Sequence, residues 1–331
     1  MLFHIRQFRL FAQPKAGVRL PGLVSFWFFL ACAVVSAQQN PDSHESLAAV
    51  HGSAESTASV DASVERSTVA IHASSDNSSE AAAKDAAQNP VAHAISIPFQ
   101  NNTFFQFGGY KRRVNALEIE PVIPFRLSEN WILITRTIVP VIYVPQVSPA
   151  QDANAGIGNV NPQFYLSPAH TGKIIWGLGP QLSLPTASDK TLGVNKWGAG
   201  PAAAVLTKQG HWLFGTLVNQ LWTGGAGKQG HQDPVYPTVF HSLNQMTLNP
   251  FVYYNMKHGW YFVSSLIITA DWAAKSGNQW TVPVGGGAGR VFKVGTQMFN
   301  ARMQFWKDVK QPTGAQSWTM QTQIQLLFPR K

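Results

Sequence analysis

The hydrophobic pattern is clearest near the end of the chain, in residues 317–328. Every second position there is apolar or carries a small hydroxyl group: Trp318, Met320, Thr322, Ile324, Leu326 and Phe328. The positions between them hold Ser317, Thr319, Gln321, Gln323 and Gln325, with Leu327 as the one exception. Because side chains of a β-strand alternate between two faces, this pattern predicts a strand with one apolar and one polar face. Either a soluble core or membrane lipid could cover the apolar face.

Similar strand-like segments occur throughout residues 94–331, separated by Gly, Pro, Asn and Asp. A tilted strand of about ten residues or more crosses an apolar band of about 25 Å, and single-chain bacterial barrels use an even number of strands. The segments predict twelve strands, at residues 95–107, 115–126, 131–144, 156–166, 173–184, 197–207, 212–222, 244–256, 260–272, 279–291, 295–306 and 316–328.

The second face of these strands distinguishes a membrane barrel from a soluble sandwich. In residues 279–289, Trp280 and Val282 alternate with Thr281, Gly285 and Gly287. The second face is small or polar, whereas the solvent face of a sandwich usually carries Lys and Glu. Small inward residues suit a narrow barrel. We therefore predict an all-β protein, an antiparallel up-and-down transmembrane β-barrel whose glutamines face a wet lumen.

Composition agrees with this fold class. Hydrophobic residues make up 45% of the chain and charged residues 12%, against about 25% charged residues in soluble domains. Outside the N-terminus, no run of about 18 apolar residues would form a transmembrane helix. Many of the 11 tryptophans fall near predicted strand ends, where membrane proteins place interfacial aromatic residues.

The N-terminal third has a different character from the barrel region. Residues 1–37 combine a basic start, an apolar stretch and the small-residue site Val35-Ser36-Ala37, which predicts a secretory signal peptide cleaved near Ala37. Residues 38–93 are rich in Ala and Ser and lack aromatic residues, which predicts a disordered periplasmic linker. A frayed Ala-rich helix over residues 80–87 is the alternative for its last part. The barrel is expected at 94–331. The one cysteine, Cys32, falls in the signal peptide, so no disulfide is expected in the mature chain.

The chain carries a formal charge of +9, and its basic residues lie mostly in predicted turns. From Ala94 onward there are 19 Lys and Arg against 8 Asp and Glu. A nucleic-acid partner is not expected, because the charge does not follow one element. Contact with anionic lipid headgroups, or a pore that favours anions, explains the excess better.

Several ordered motifs resemble one known family. These are Asn115-Ala-Leu-Glu-Ile-Glu-Pro-Val-Ile-Pro-Phe125 followed by Trp131-Ile-Leu-Ile-Thr-Arg-Thr-Ile138, then Trp176-Gly-Leu-Gly-Pro-Gln-Leu-Ser-Leu-Pro-Thr186, Lys196-Trp-Gly-Ala-Gly-Pro201, Gln279-Trp-Thr-Val-Pro-Val284 and Leu327-Phe-Pro329. The chain is similar here to the MetA-pathway phenol-degradation family, also labelled neuromedin U. The resemblance covers about residues 90–331. It implies a Gram-negative outer-membrane barrel that passes small, often aromatic or hydrophobic, compounds.

The chain departs from that family at two places, and its end differs from the pattern common in outer-membrane chains. Gly156-Ile-Gly-Asn159 stands where the family has Gly-Leu-Gly-Asp, and Glu120 replaces a glutamine. The terminal aromatic residue that helps outer-membrane assembly is followed here by Pro329-Arg330-Lys331. Recognition by the assembly machinery is still expected, together with contact with outer-membrane lipid.

Five charged residues in predicted strands are the candidate site residues. Glu118 and Glu120 share one face of their strand, and Arg136 lies mid-strand next to them; Asp271 and Arg302 form a second candidate pair. Charges that face hydrocarbon are costly, so these side chains should face the lumen. They form either a charged constriction that selects solutes or an interior ion-pair network that fills a narrow barrel.

Two other functions compete with transport. A twelve-stranded outer-membrane lipid hydrolase would need a Ser–His pair, and His241-Ser242 with Asn244 is the candidate, although it does not match the phospholipase pattern. A structural barrel with a sealed lumen is the second competitor. The remaining histidines lack metal-ligand spacing. We therefore predict a porin-like transporter that is not an enzyme and uses no metal or cofactor.

Overall fold

The structure is a computed structural model that describes residues 81–224 and 241–328. These residues contain fifteen β-strands in one sheet. The strands are β1 (Ile95–Phe107), β2 (Arg112–Ile119), β3 (Val122–Arg126), β4 (Trp131–Val144), β5 (Asn154–Ile157), β6 (Asn161–Pro168), β7 (Ile174–Ser183), β8 (Gly198–Gln209), β9 (Trp212–Thr223), β10 (Asn244–Asn255), β11 (Trp260–Ser265), β12 (Ile268–Asp271), β13 (Trp280–Val294), β14 (Gln297–Lys310) and β15 (Trp318–Phe328). The predicted signal peptide and the linker up to residue 80 lie outside the described residues.

Twelve strand positions make up the barrel, because three of them are split in two. β2 and β3 both pair with β1 and β4, and β11 and β12 both pair with β10 and β13. β5 and β6 both pair with β4. The first break falls at Glu120-Pro121, where proline has no N–H to donate to the ladder. The twelve-stranded antiparallel barrel predicted from the alternation is confirmed.

The sheet closes on itself through its first and last strands. β1 pairs with β15 over an unbroken register from Ile95 opposite Phe328 to Phe105 opposite Trp318. β9 pairs with β10 on the far side, which completes the ring. A closed barrel satisfies backbone hydrogen bonds within its wall and leaves no exposed strand edge.

The two ends of the barrel differ in the length of their connections. β1 begins and β15 ends at the same end, called the turn end here, where residues 127–130, 169–173, 210–211 and 295–296 make short turns. At the opposite end, called the loop end, residues 145–153, 184–197 and 272–279 form longer connections. Short turns face the periplasm in outer-membrane barrels, and longer loops face outward.

The wall is apolar outside and largely polar inside. Large apolar side chains such as Ile174 and Phe262 are 61% and 58% exposed on the outer surface. On β15 the alternate positions Gln321, Gln323 and Gln325 are buried. The alternation therefore points the apolar face away from the barrel interior, as the sequence predicted.

A short helix, α1 (residues 81–88), packs inside the turn end of the barrel. Ala83 and Val91 are fully buried and join a core cluster with inward residues such as Tyr165 and Leu206. The sequence analysis placed residues 81–93 in a disordered linker. The segment lacks large apolar residues of its own, but the barrel supplies them, and small alanines fit the narrow lumen. Within the described residues, no helix is long and apolar enough to cross a membrane.

Candidate functional site

Inward polar side chains from most of the wall meet in the middle of the lumen. Strand alternation places each of them on the inner face. Hydrogen bonds join them into two groups, one around Arg136 and one around Arg302, which together are called the polar belt here. Its members are Gln100, Asn102, Glu118, Glu120, Arg136, Gln163, Tyr165, Gln181, Tyr253, Tyr261, Asn300, Arg302, Gln304, Gln321, Gln323 and Gln325.

Arg136 and Glu120 form an ion pair within the belt. The Arg136 Nη2 atom lies 2.8 Å from Glu120 Oε2, and its Nη1 donates to Gln163 Oε1 at 3.3 Å. The Arg136 side chain is 22% exposed and that of Glu120 only 7%. Tyr165 Oη also donates to Gln163 Oε1, at 3.0 Å. Loss of either charge would leave the other buried without its partner, which is costly.

Glu118 lies next to this pair and is held by amides. Its Oε2 atom accepts hydrogen bonds from Gln100 Nε2 and Asn102 Nδ2, both at 3.0 Å. Gln100 is opposite Glu118 in the β1–β2 register, so the contact follows directly from strand pairing. The structure thus brings Glu118, Glu120 and Arg136 together, with Glu120 as the carboxylate that pairs with the arginine.

Arg302 organises the opposite part of the belt without a carboxylate. Its Nη1 donates to Tyr253 Oη at 2.9 Å, and its Nη2 donates to Gln100 Oε1 at 3.2 Å and Gln321 Oε1 at 3.1 Å. Tyr253 lies on β10 and Gln100 on β1, so one guanidinium links distant strands across the lumen. Phenol and amide oxygens surround this charge.

Asp271 does not pair with Arg302, although the sequence analysis placed them together. Ala270 lies opposite Trp280, and Arg302 lies opposite Gly289. Nine residues of β13 separate these two positions, which amounts to about 30 Å along an extended strand. Asp271 Oδ1 instead accepts from the Ala273 backbone N–H at 3.1 Å at the loop end, where it stabilises a turn.

The glutamines of β15 are buried in the belt, whereas the sequence analysis expected them to line a wet lumen. Gln321, Gln323 and Gln325 are 3%, 6% and 4% exposed. Gln304 Nε2 donates to Gln321 Oε1 at 3.0 Å, and Gln321 Nε2 donates to Asn102 Oδ1 at 3.0 Å. Sequence alternation identified their face correctly, but it carries no information on lumen width.

Tyrosines of the belt were not among the predicted site residues. Tyr253 and Tyr261 pack with ring centroids 5.5 Å apart, and Tyr261 Oη donates to Asn300 Oδ1 at 2.6 Å. Both lie at inward positions of their strands. Their alternation with outward Val252 and Phe262 was available in the sequence and could have identified them.

At the loop end, the inside of the barrel becomes apolar. Val114, Val144, Val147 and Leu192 are buried together, and Phe104, Phe107 and Ile142 pack against them. We call this set the outer apolar cluster. Val147 belongs to the loop after β4 and Leu192 to the loop after β7, so two loops fold over the strand residues. Gly108 permits this approach, because its φ of 68° and the Val147 carbonyl 2.8 Å from a hypothetical Cβ both require glycine.

The loop that carries Leu192 is held by a local carboxylate. The Thr191 backbone N–H and the Thr191 hydroxyl each donate to Asp189 Oδ1 at 2.8 Å. These hydrogen bonds hold the pKa of Asp189 below its ordinary value. Asp189 therefore stays ionised at neutral pH and keeps the loop folded next to Leu192.

At the turn end, α1 is attached to the wall by polar contacts. Gln88 and Asn255 exchange two amide hydrogen bonds, of 2.8 and 3.0 Å. Gln325 Nε2 donates to the Ala86 carbonyl at 3.4 Å, and Lys208 forms an ion pair with Asp85. The helix thus lies across the axis of the lumen, below the polar belt.

The candidate hydrolase residues do not form an open site. Ser242 is fully buried, and Asn244 Oδ1 accepts from Gln220 Nε2 at 3.0 Å. Among residues 81–224 and 241–328, no group of three His, Cys, Asp or Glu side chains could hold a metal ion.

No protein-family model and no curated protein sequence matches the chain. The COG4313 outer membrane channel from Pseudomonas putida F1 has a similar structure, with a TM-score of 0.53 and 14% identity over 71% of this chain and 94% of that one. The chain has the fold of an outer-membrane channel.

Two further structures show weaker similarity. The CymD monoaromatic hydrocarbon channel has a TM-score of 0.43 and 8% identity, over 75% of this chain and 93% of that one. Outer membrane phospholipase A from Escherichia coli has a TM-score of 0.38 and 11% identity, over 75% and 96%. Both likenesses are too weak to bear on activity.

Proposed function

We propose that the chain forms a channel in the bacterial outer membrane through which small hydrophobic compounds pass. The fold shared with an outer membrane channel supports the general class. The observation that carries the proposal is the outer apolar cluster, which places Phe104, Phe107 and Leu192 inside the wall at the loop end. Within this cluster the partly buried rings of Phe104 and Phe107 offer a binding surface to an apolar solute that arrives from outside.

The outer surface supports a location in the membrane. Exposed residues such as Ile174, Leu178 and Phe305 would be unfavourable in water over so wide a surface. Lipid covers them at no such cost. In this location the turn end, with both ends of the barrel sequence, faces the periplasm, and the loop end faces the outside.

The polar belt and α1 argue against free passage of ions. Arg302 joins Tyr253 of β10 to Gln100 of β1 across the lumen, and α1 packs against the inner wall below them. An ion would have to break these contacts and lose its hydration. We therefore assign Glu118, Glu120 and Arg136 to an interior network and not to a selective constriction. The resemblance to the MetA-pathway family makes small aromatic compounds the first solutes to test.

The test is uptake of radiolabelled toluene by cells whose outer membrane carries full-length lipopolysaccharide, which slows hydrocarbons. Cells that make the protein should accumulate toluene several times faster than cells that do not. Leu192→Asp should abolish the gain, because it places a charge in the outer apolar cluster. Leu127→Asp is the matched control, since Leu127 lies in a turn and is 59% exposed.

Planar-bilayer conductance completes this test. The purified wild-type barrel should conduct almost no ions. Equal toluene uptake with and without a folded barrel would reject the channel and favour a sealed structural barrel. A large steady ion conductance would instead favour a water-filled porin.

A further inference from the structure

A cavity opens on the outer face of the barrel wall, near the turn end. It is lined by Trp212, Val252, Tyr254, Phe262, Val263 and Ser264, and its volume is about 390 Å³. We call it the wall groove. Strand register assembles it, because Tyr254 lies opposite both Trp212 and Phe262. The volume falls within the range of about 300–1,000 Å³ typical of small-molecule sites.

The groove is shaped by aromatic rings that hold one another in place. The Trp212 and Tyr254 ring centroids are 4.8 Å apart, and Trp212 stacks on Phe214 at 6.4 Å. On the other side, the Phe262 side chain is 58% exposed. The result is an apolar depression between rigid walls, which suits a flexible hydrocarbon chain.

Positive charge lies directly beside the groove. Arg290 is opposite Trp260 in the register, and its guanidinium lies 5.4 Å from the Trp260 ring centroid. Trp260 and Phe262 are neighbours on the outer face of β11, about 7 Å apart along the strand. Arg290 Nε donates to the His258 carbonyl at 3.3 Å, and its two terminal amino groups carry four further N–H donors.

The neighbouring sequence adds to this charge and does not neutralise it. Lys257 is exposed in the turn between β10 and β11. Between His241 and Val294 the one acidic residue is Asp271, which lies at the loop end. The surroundings of the groove therefore combine an apolar cavity, an anchored guanidinium and a lysine at one membrane interface.

We propose that the wall groove is a binding site for one anionic phospholipid of the periplasmic leaflet. An acyl chain lies between Trp212, Tyr254 and Phe262, and the phosphate accepts hydrogen bonds from Arg290, with Lys257 close by. The inference rests on the proposed membrane location. Charge complementarity selects this occupant over a transported hydrocarbon, which would gain nothing from Arg290.

The test uses the full-length protein in detergent, mixed with equal amounts of phosphatidylglycerol and phosphatidylcholine and analysed by native mass spectrometry. Wild type should retain one phosphatidylglycerol in about fivefold preference, the ratio that corresponds to about 1 kcal/mol for one basic residue near an anionic headgroup. Arg290→Gln should abolish the preference. Phe262→Ala should reduce retention of both lipids.

Two matched variants separate the site from a general surface effect. Lys173→Gln removes a charge at the same end of the barrel, in the turn before β7, and should keep the preference. Phe125→Ala removes an outer-face ring that is 49% exposed, on β3 and away from the groove, and should keep retention. Equal retention of both lipids by wild type, or equal losses in Lys173→Gln and Arg290→Gln, would overturn the site.

The outcome of the lipid-retention experiment does not depend on whether the protein transports a solute. Lipid retention requires a folded barrel but no open path for a solute. A barrel that does not take up toluene but still retains phosphatidylglycerol would reject the channel and support the lipid site. A barrel that takes up toluene but shows no preference for phosphatidylglycerol would support the channel and reject the lipid site.

Discussion

The two faces of β15 show how differently the same strand is solvated on its two sides. Ile324 and Leu326 point outward, while Gln323 and Gln325 point inward and are almost completely buried. A soluble protein would arrange these residues the other way round. The difference teaches that the outer face is matched to lipid, and that the inner face is stabilised by hydrogen bonds between side chains and not by water.

The sharpest test of the inner face is Arg136→Ala. It leaves Glu120 buried without its partner at 2.8 Å, so we expect a loss of about 3–5 kcal/mol in the free energy of unfolding. Urea unfolding in detergent, followed by heat-modifiable migration on gels, measures the change. Arg126→Ala is the control, because Arg126 is exposed and donates to the Ser128 and Glu129 carbonyls of its own turn. Equal stability of the two variants would show that the inner face is solvated.

The outer face is tested by Ile324→Arg. If this position lies near the middle of the bilayer, the charge should cost about 2–4 kcal/mol of folding free energy in lipid vesicles. Phe328→Arg, at the end of the same strand and on the same face, should cost about 0–1 kcal/mol, because the guanidinium reaches the interface. Similar costs at both positions would contradict the proposed position of the membrane.

The smallest expected effect concerns the contact between α1 and the wall. Gly177 lies on the inner face, and a Cβ there would sit 3.1 Å from Val91 Cγ1. Gly177→Leu should overpack the lumen and cost about 1–3 kcal/mol, chiefly by displacing residues 81–94. Faster proteolysis within 81–94, with an intact barrel, is the expected readout. Gly172→Leu, in an open turn, should leave the cleavage rate unchanged.

Sequence alternation was enough to predict the strand number and the direction of each face. Residues 318–328 alternate regularly enough to predict a strand, and several further segments repeat the argument. The proximity of Glu118 and Glu120 to Arg136 could also be predicted, because they lie on strands that are neighbours in the sequence. These features depend on the alternation of side chains within a strand and on the pairing of consecutive strands. Both can be recognised in the sequence itself.

Contacts across the lumen could not be predicted in the same way. The hydrogen bond from Arg302 to Gln100 joins residues 202 positions apart. The predicted pairing of Asp271 with Arg302 was wrong, because the two residues lie at different positions along the barrel axis. The burial of α1 was missed for a related reason. A segment of alanines has no apolar face to recognise until the barrel interior is present to receive it.

The seam between β1 and β15 has a consequence for biogenesis. Its partners are the first and last strands of the described residues, and Gln325 of β15 also holds the Ala86 carbonyl of α1. Contacts between such distant parts of a chain form slowly. The seam therefore requires that both ends of the barrel sequence are present. A chain that stops before β15 would leave β1 with an unpaired edge and α1 without its contact to Gln325.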